Sequence, residues 1–206
     1  MSYQAILYDI DGTLLDTVKM NLIPLQKIIE EELHENRSYE SLLPYMALPG
    51  LKTMEKLGIS DIDKTYARWV KYVNEYPDPA MPYDGMEDVL HTLKHHFRQG
   101  VVTSKKKEQY VIDMPSSLNA LMDIVVVEED TTAHKPDPAP LLKAIKAMGL
   151  QPSEVLYVGD ATSDYLCAQN AHCGFALALW SGLPHEEVDE PDMILHTPQD
   201  LLALLK

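Results

Sequence analysis

Apolar and polar positions follow two different periods along the chain. The run 5–8 is apolar on both faces, which is typical of a short strand at the centre of a parallel sheet. From about residue 16 onward, apolar residues recur at helical spacing and predict helices over 16–35, 41–47, 51–57 and 62–76. Three prolines and a glycine within 76–85 then predict a stiff connection.

Beyond residue 84 helical and strand patterns alternate, as in chains that form right-handed βαβ units. The predicted strands are 100–104, 124–127, 155–159, 175–179 and 193–195. The predicted helices are 86–97, 105–114, 138–148, 162–171 and a last one from 197. The pattern predicts an α/β fold, with a Rossmann-like parallel-sheet core (1–16 and 84–206) that carries helices on both faces. An inserted all-helical cap domain, residues 17–83, completes the prediction.

The composition, with 46% hydrophobic and 24% charged residues, is that of a globular protein with a sizeable core. The 32 acidic and 17 basic side chains give a net charge of −15, which argues against nucleic acid or a membrane as a partner, because both attract basic surfaces. No apolar run approaches a membrane span and no N-terminal signal pattern is present, so we expect a cytoplasmic protein. Cys167 and Cys173 are predicted to be buried, reduced thiols.

Polar side chains follow four of the predicted strands, at the points where the strands end. They are Asp9, Asp11, Thr103, Ser104, Lys135, Asp160 and Asp164, and Gly12 follows the first two with an accessible backbone amide. In a parallel sheet these residues all reach one edge, where ligands bind in open α/β folds. Several carboxylates, a pair of hydroxyls and a lysine are the composition of a phosphoryl-transfer site that uses a hard divalent cation such as Mg²⁺.

Each residue type has a chemical task in such a site. Carboxylates of Asp9 and Asp160 can bind Mg²⁺, while Lys135, the Thr103 hydroxyl and backbone amides near Gly12 hold phosphate oxygens. Of the two leading acids, one can attack phosphorus as a covalent nucleophile. The other can protonate the leaving oxygen and then deprotonate the water that hydrolyses the acyl-phosphate.

The order of these residues resembles the four motifs of the haloacid dehalogenase superfamily. The motifs are Asp9-Ile10-Asp11-Gly12-Thr13, Thr103-Ser104, Lys135-Pro136 and Gly159-Asp160-x-x-x-Asp164. The helical insertion after the first motif resembles the cap of the phosphoglycolate-phosphatase-like branch, and the resemblance covers essentially the whole chain. It implies a Mg²⁺-dependent phosphoric monoester hydrolase, because dehalogenating relatives lack the second aspartate of the first motif, which is present here.

The resemblance also implies a role for each matching position. Asp9 would be the nucleophile and Asp11 the general acid and base, with Thr103 and Lys135 completing the catalytic set. The phosphate-binding set would be Gly12, Thr103, Ser104 and Lys135. The metal-binding set would be Asp9, the backbone carbonyl of Asp11, Asp160, and Asp164 as a ligand or a support.

Two positions depart from the family pattern. His172 stands where relatives usually have a glycine that ends the helix, so we expect it to adopt the left-handed conformation. Pro115 lies in the segment 113–123 and predicts a shorter helix there. Neither departure touches the motif residues.

The substrate is expected to be a small phosphorylated metabolite, with phosphoglycolate, pyrophosphate, sugar phosphates and nucleotides all open. Lys52 and Arg68 in the cap are candidates for binding a carboxylate or a second phosphate, and ordinary surface cations are the alternative for each. Lys105, beside the second motif, is left open. A sugar phosphomutase and a non-catalytic phosphate-binding regulatory module remain as alternative functions. The sequence does not choose between a monomer and a homodimer.

Overall fold

The computed structural model describes residues 3–183 and 188–206 and contains a six-stranded sheet in which every paired strand runs parallel. Its strands in spatial order are β5 (Ile124–Val126), β4 (Arg98–Val102), β1 (Ala5–Tyr8), β6 (Val155–Gly159), β7 (Gly174–Ala178) and β8 (Met193–Leu195). A separate two-stranded antiparallel ribbon joins β2 (Leu15–Asp16) to β3 (Met81–Pro82). The predicted α/β fold with a parallel-sheet core is confirmed.

Strand β1 lies in the middle of this sheet because it is apolar on both faces, and all four of its residues are fully buried. Tyr8, its last residue, pairs with Val101 of β4 on one side and with Val158 of β6 on the other. Asp9 follows directly, and its N–H donates to the carbonyl of Val158 at 2.9 Å. The first motif therefore begins between the ends of two neighbouring strands.

In the described part of the chain, the sheet is accompanied by the helices α5 (Met86–Leu93), α6 (Lys107–Asp113), α7 (Ser116–Asn119), α8 (Ala139–Met148) and α9 (Thr162–Ala171). Short 3₁₀ segments occupy Glu128–Asp130, Pro152–Glu154 and Pro198–Leu205. The last predicted helix is therefore a 3₁₀ segment. As expected, Pro115 separates two short helices, α6 and α7. His172 ends α9 in the left-handed conformation with φ 58°, which confirms the expectation for this non-glycine position.

The helices between β2 and β3 are α1 (Val18–Leu33), α2 (Tyr39–Leu42), α3 (Gly50–Leu57) and α4 (Ile62–Asn74), with a 3₁₀ turn at Leu43–Ala47. Helix α1 continues through Pro24. Trp69 of α4 is buried and its indole N–H donates to the carbonyl of Asn21 in α1 at 3.0 Å. Packing of α4 against α1 and α3 thus gives this region an apolar core of its own.

By its internal contacts the chain divides into two compact units. The core unit is 1–16 with 81–206, and the helical unit is 17–80. The predicted boundary after residue 16 coincides with this division, whereas the second predicted boundary lies three residues later than the observed one, between 83 and 84. The shift arises because Met81–Pro82, predicted to be part of a stiff connection, pairs with β2 as a strand.

Two further expectations concern the chain as a whole. Cys167 and Cys173 are both buried and free, as predicted. Among the described residues, no helix combines the length and the apolar character that crossing a bilayer requires.

Candidate active site

The loop after β1 is a tight turn closed on one carbonyl oxygen. The backbone N–H groups of Thr13, Leu14 and Leu15 lie 3.2, 2.9 and 2.9 Å from the carbonyl oxygen of Ile10. Gly12 adopts a positive φ of 78°, a conformation that costs glycine little and other residues more. This turn brings the second half of the first motif back to the end of the sheet.

Gly12 is also required by its contact with the fourth motif. A Cβ atom at this position would lie 2.0 Å from Oδ2 of Asp160, far inside van der Waals contact. Asp160 follows β6, the strand that neighbours β1, and is 6% exposed. The first and fourth motifs are therefore packed against each other at the carboxyl edge of the sheet.

Lys135 lies between the aspartates of the same two motifs. Its Nζ is 2.7 Å from Oδ1 of Asp9 and 2.6 Å from Oδ1 of Asp164, and its side chain is 6% exposed. The Tyr157 hydroxyl lies 3.2 Å from the same Nζ and 3.0 Å from Asp164 Oδ1. Burial lowers the pKa of Lys135, but Asp164 and Asp9 raise it by more, so the ammonium stays charged.

Three buried carboxylates surround this lysine. Asp9, Asp160 and Asp164 each offer an oxygen atom within 4.8 Å of the others. The pKa of Asp9 is raised to about 7, chiefly by burial and also by the charges of Asp164 and Asp11, against the opposing effect of Lys135. Burial, followed by the charges of Asp164 and Asp9, holds the pKa of Asp160 well above its ordinary value. The cluster carries more negative charge than one lysine offsets.

The donor set fits a hard divalent cation. Such ions prefer carboxylate oxygens, and a bound cation would favour the ionised form of all three acids. Among the described residues, the ion pairs of the cluster come from Lys135 alone, and they reach Asp9 and Asp164 but not Asp160. Both oxygens of Asp164 are already engaged, since Oδ2 accepts from the N–H of Ala161 at 3.2 Å. Asp9 and Asp160 could therefore hold a cation more readily than Asp164, whose contacts with Lys135 and Ala161 already use both of its oxygens.

The second motif lies beside Lys135 on the β4 side of the sheet. Thr103 is buried and its N–H donates to the carbonyl of Val126, so the motif directly extends the pairing of β4 with β5. Thr103, Ser104 and Lys135 together line one small recess, with His134 on its wall. The Thr103 Oγ1 atom accepts from the N–H of Lys105 at 3.1 Å, which leaves its own hydrogen free to donate.

Asp11 pairs with a different cation, Lys105. Its Oδ1 atom is buried and lies 2.9 Å from Nζ of Lys105, whereas the side chain as a whole is 34% exposed. The same ammonium lies 2.6 Å from Oδ2 of Asp113 in α6. Burial lowers the pKa of Lys105, but the two aspartates raise it by more, so this lysine also stays charged.

The structure thus brings Asp9, Asp160, Asp164 and Lys135 into one cluster, with Gly12 against Asp160. The recess of the second motif adjoins this cluster. Lys52 and Arg68 lie in the helical unit, where Lys52 pairs with Glu55 at 3.0 Å and Arg68 pairs with Glu31 and Glu32. Those ion pairs favour the alternative of ordinary surface cations, and contact with substrate stays a prediction for both.

Reasoning from the sequence missed three residues at the site: Tyr157, Asp113 and Trp180. Tyr157 gave no signal because it lies within an otherwise apolar strand. Asp113 gave no signal either, because its burial depends on which face of α6 packs inward. Trp180 donates its indole N–H to the carbonyl of Thr13 at 2.9 Å and so braces the turn after β1.

The parallel sheet and the four motifs at its carboxyl edge define a hydrolase of the haloacid dehalogenase type. The chain belongs to the family of haloacid dehalogenase-like hydrolases, whose model matches residues 6–178. The pyrophosphatase PpaX of Bacillus cereus is 29% identical over 217 residues, which cover 100% of this chain and 97% of that protein.

Two solved structures extend the comparison. The crystal structure of a candidate phosphoglycolate phosphatase from Lactobacillus plantarum superposes with a TM-score of 0.90 at 27% identity, covering 99% of this chain and 100% of that one. A haloacid dehalogenase-like protein from Streptococcus pneumoniae shares the fold with a TM-score of 0.83 at 19% identity, covering 99% of both chains. The family resemblance noted in the sequence is confirmed, and the relatives named as phosphatases support the prediction of a phosphoric monoester hydrolase.

Proposed function

We propose that this protein is a Mg²⁺-dependent phosphatase that hydrolyses a small phosphorylated metabolite through an aspartyl-phosphate intermediate. The observation that carries the proposal is the buried contact of Asp9 with Lys135 beside Asp160 and Asp164. A buried carboxylate that meets one lysine and two further acids is poised for a cation and for an anionic substrate, since each offsets part of the charge of the other.

The side chains divide the reaction between them. Asp9 attacks phosphorus and forms the acyl-phosphate while the bond from phosphorus to the leaving oxygen breaks. Asp11 gives its proton to that oxygen and then takes one from the water that hydrolyses the acyl-phosphate. Lys135 and the Thr103 hydroxyl hold the oxygens of the transferring group, and Ser104 and the amides near Gly12 add donors. Asp9, Asp160 and the Asp11 carbonyl would hold Mg²⁺, which would supply positive charge that offsets the charge of the phosphoryl group.

The proposal extends to the identity of the substrate. The relatives are named for pyrophosphate and for phosphoglycolate, and these two head the candidates, followed by sugar phosphates and nucleotides. We also propose that the helical unit acts as a cap and that substrate choice lies there, with Lys52 and Arg68 as the residues to test. Matched substitutions Lys52→Met and Arg68→Met would raise the KM of an anionic substrate if either side chain binds it.

The test is a panel of phosphorylated metabolites assayed for phosphate release with Mg²⁺ and with a chelator. We expect activity that requires Mg²⁺ and that Asp9→Asn abolishes, while Asp78→Asn, an exposed acid of the helical unit, leaves it unchanged. Retained turnover in Asp9→Asn would overturn the assignment of the nucleophile. Formation of an isomer without release of phosphate would indicate a mutase, and inactivity across the panel would favour a non-catalytic binding module.

A further inference from the structure

Lys105 makes the second buried ion-pair cluster of the core unit. Its side chain is 9% exposed, and its Nζ lies 2.9 Å from Asp11 and 2.6 Å from Asp113, whose own side chain is 3% exposed. Burying charges is costly unless they are paired and hydrogen-bonded, so a cluster of this kind is strongly constrained in geometry.

Asp113 is fully committed to holding the lysine. Its Oδ2 accepts from Lys105, and its Oδ1 accepts from the side-chain amide of Gln109 at 2.8 Å, one helical turn earlier on α6. The backbone of Lys105 is fixed as well, since its N–H donates to Thr103 Oγ1 and its carbonyl accepts from the N–H of Glu128. The position of the Lys105 ammonium is therefore fixed by contacts other than that with Asp11.

Asp11 meets this fixed cation with one oxygen only. Its buried Oδ1 forms an ion pair with Lys105 Nζ at 2.9 Å that lacks hydrogen-bond geometry, while a third of the side chain remains exposed. A carboxylate pinned through one oxygen cannot rotate freely about its last bond, so its other oxygen keeps one direction. Proton transfer depends steeply on such an orientation, because donor and acceptor must lie within hydrogen-bond distance and in line.

We propose that Lys105, anchored by Asp113, is a positioning residue that pins Oδ1 of Asp11 and so presents the other carboxylate oxygen for proton transfer. The inference rests on the proposed function, because it requires Asp11 to act as the general acid and base. Lys105 itself takes no part in the covalent step, and the proton still passes between Asp11 and the leaving oxygen or the water.

The first test compares leaving groups. p-Nitrophenolate departs without a proton, whereas an alkoxide does not, so a defect in Asp11 is selective for alkyl phosphates. For Lys105→Met we expect kcat/KM to fall about 10- to 100-fold with the best alkyl phosphate of the panel and less than about 5-fold with p-nitrophenyl phosphate. The matched control Lys106→Met, at the adjacent exposed position, is expected to change neither value.

The second test asks whether Lys105 acts through Asp11. In an Asp11→Asn background, we expect Lys105→Met to lower the residual kcat/KM by less than about twofold, because the group on which it acts is gone. Asp113→Asn, which lies one step further from the substrate, is expected to show the same leaving-group selectivity with a smaller loss. The double variant Lys105→Met/Asp113→Asn removes both charges and guards against the instability of a lone buried carboxylate.

Equal losses with both leaving groups, or full additivity with Asp11→Asn, would overturn the inference and assign Lys105 to folding or to substrate binding. These outcomes are distinct from failure of the proposed function. In that case the unmodified protein would release no phosphate, or Asp9→Asn would remain active.

Discussion

Lys135 and Lys105 are both buried, and each bridges two aspartates of the core unit. The cluster around Lys135 contains a third carboxylate, Asp160, which that lysine does not reach. The cluster around Lys105 has two carboxylates for one ammonium, whereas the cluster around Lys135 has three. The excess of carboxylates is thus larger in the cluster that contains the proposed nucleophile.

The two leading aspartates also differ in exposure. The side chain of Asp9 is 8% exposed, and that of Asp11 is 34% exposed. A nucleophile that must be free of water benefits from burial, since dehydration strengthens its interactions with phosphate and cation. A group that exchanges protons with a leaving oxygen and then with water requires access. Asp9 and Asp11, two residues apart in the chain, are therefore each paired with a lysine, but Asp9 is buried and Asp11 is partly exposed.

Of the substitutions in the two clusters, removal of Lys135 should have the largest effect on stability and activity. Lys135→Met leaves Asp9 and Asp164 buried without their cation, a change that costs about 3–5 kcal/mol of the free energy of unfolding. We expect phosphatase activity to fall by at least about a thousandfold, because the phosphoryl group also loses a charged partner. Thermal unfolding and phosphate release would measure the two effects. Lys143→Met removes an exposed pair with Asp130 and should cost less than about 1 kcal/mol with full activity.

Gly12→Ala should selectively disturb the proposed Mg²⁺ site at Asp160. The new methyl group would meet Asp160 at 2.0 Å, and the backbone would be strained at a φ of 78°. We expect weaker Mg²⁺ binding and an activity loss of about 100-fold, in line with the effect of misplacing one catalytic group. Gly149→Ala is the matched control: its φ is 68° and no atom lies within 4 Å of its Cβ position. It should show similar strain, about 1–2 kcal/mol, with unchanged activity.

The pH dependence of Mg²⁺ binding should report the ionisation of Asp9 in the Lys135 cluster. Asp9 has an ordinary pKa of 3.8 and a raised pKa of about 7 in the folded, metal-free protein. Between these values the folded state holds a proton that the unfolded state has lost, so metal-free stability falls as the pH rises through this window. A bound cation requires the ionised carboxylate, so Mg²⁺ should bind more tightly as the pH rises, by up to about tenfold per pH unit below pH 7.

This prediction is checked by the shift of the melting temperature with Mg²⁺ across that pH range. The shift should grow with pH and level off above about pH 7. A shift that is independent of pH would mean that Asp9 is ionised throughout, and would contradict the raised pKa. Asp9→Asn should retain a smaller pH-dependent part of the shift, since the pKa of Asp160 is raised as well.

The motif residues at the sheet edge could be predicted from the sequence because topology alone brings strand ends together. Asp9, Asp160 and Lys135 needed only a parallel sheet and the order of its strands to become neighbours. Asp113 could not be predicted in this way, since its partner depends on which face of α6 packs inward. The extent of α5 was also overestimated: residues 94–97 continue the helical pattern, yet the helix ends at Leu93, just before β4 begins at Arg98. Tertiary contacts decide such ends more than local periodicity does.

Tyr157→Phe should have the smallest effect. It removes the uncharged hydrogen-bond partner of Lys135 and leaves the charged partners in place. The phenol oxygen lies 3.2 Å from Lys135 Nζ and 3.0 Å from both the carbonyl of Val102 and Oδ1 of Asp164, so its removal leaves one buried donor and two buried acceptors with fewer partners. We expect a loss of about 1–2 kcal/mol in stability and a kcat lower by about 3- to 10-fold, a small effect because the lysine keeps its two charged partners. Tyr8→Phe is the matched control: Tyr8 is fully buried and donates to Gln99 at 2.8 Å, on the face of β1 opposite to Asp9. Its variant should lose similar stability and keep its activity, and an equal loss of kcat in both variants would show that the Tyr157 hydroxyl supports the fold alone.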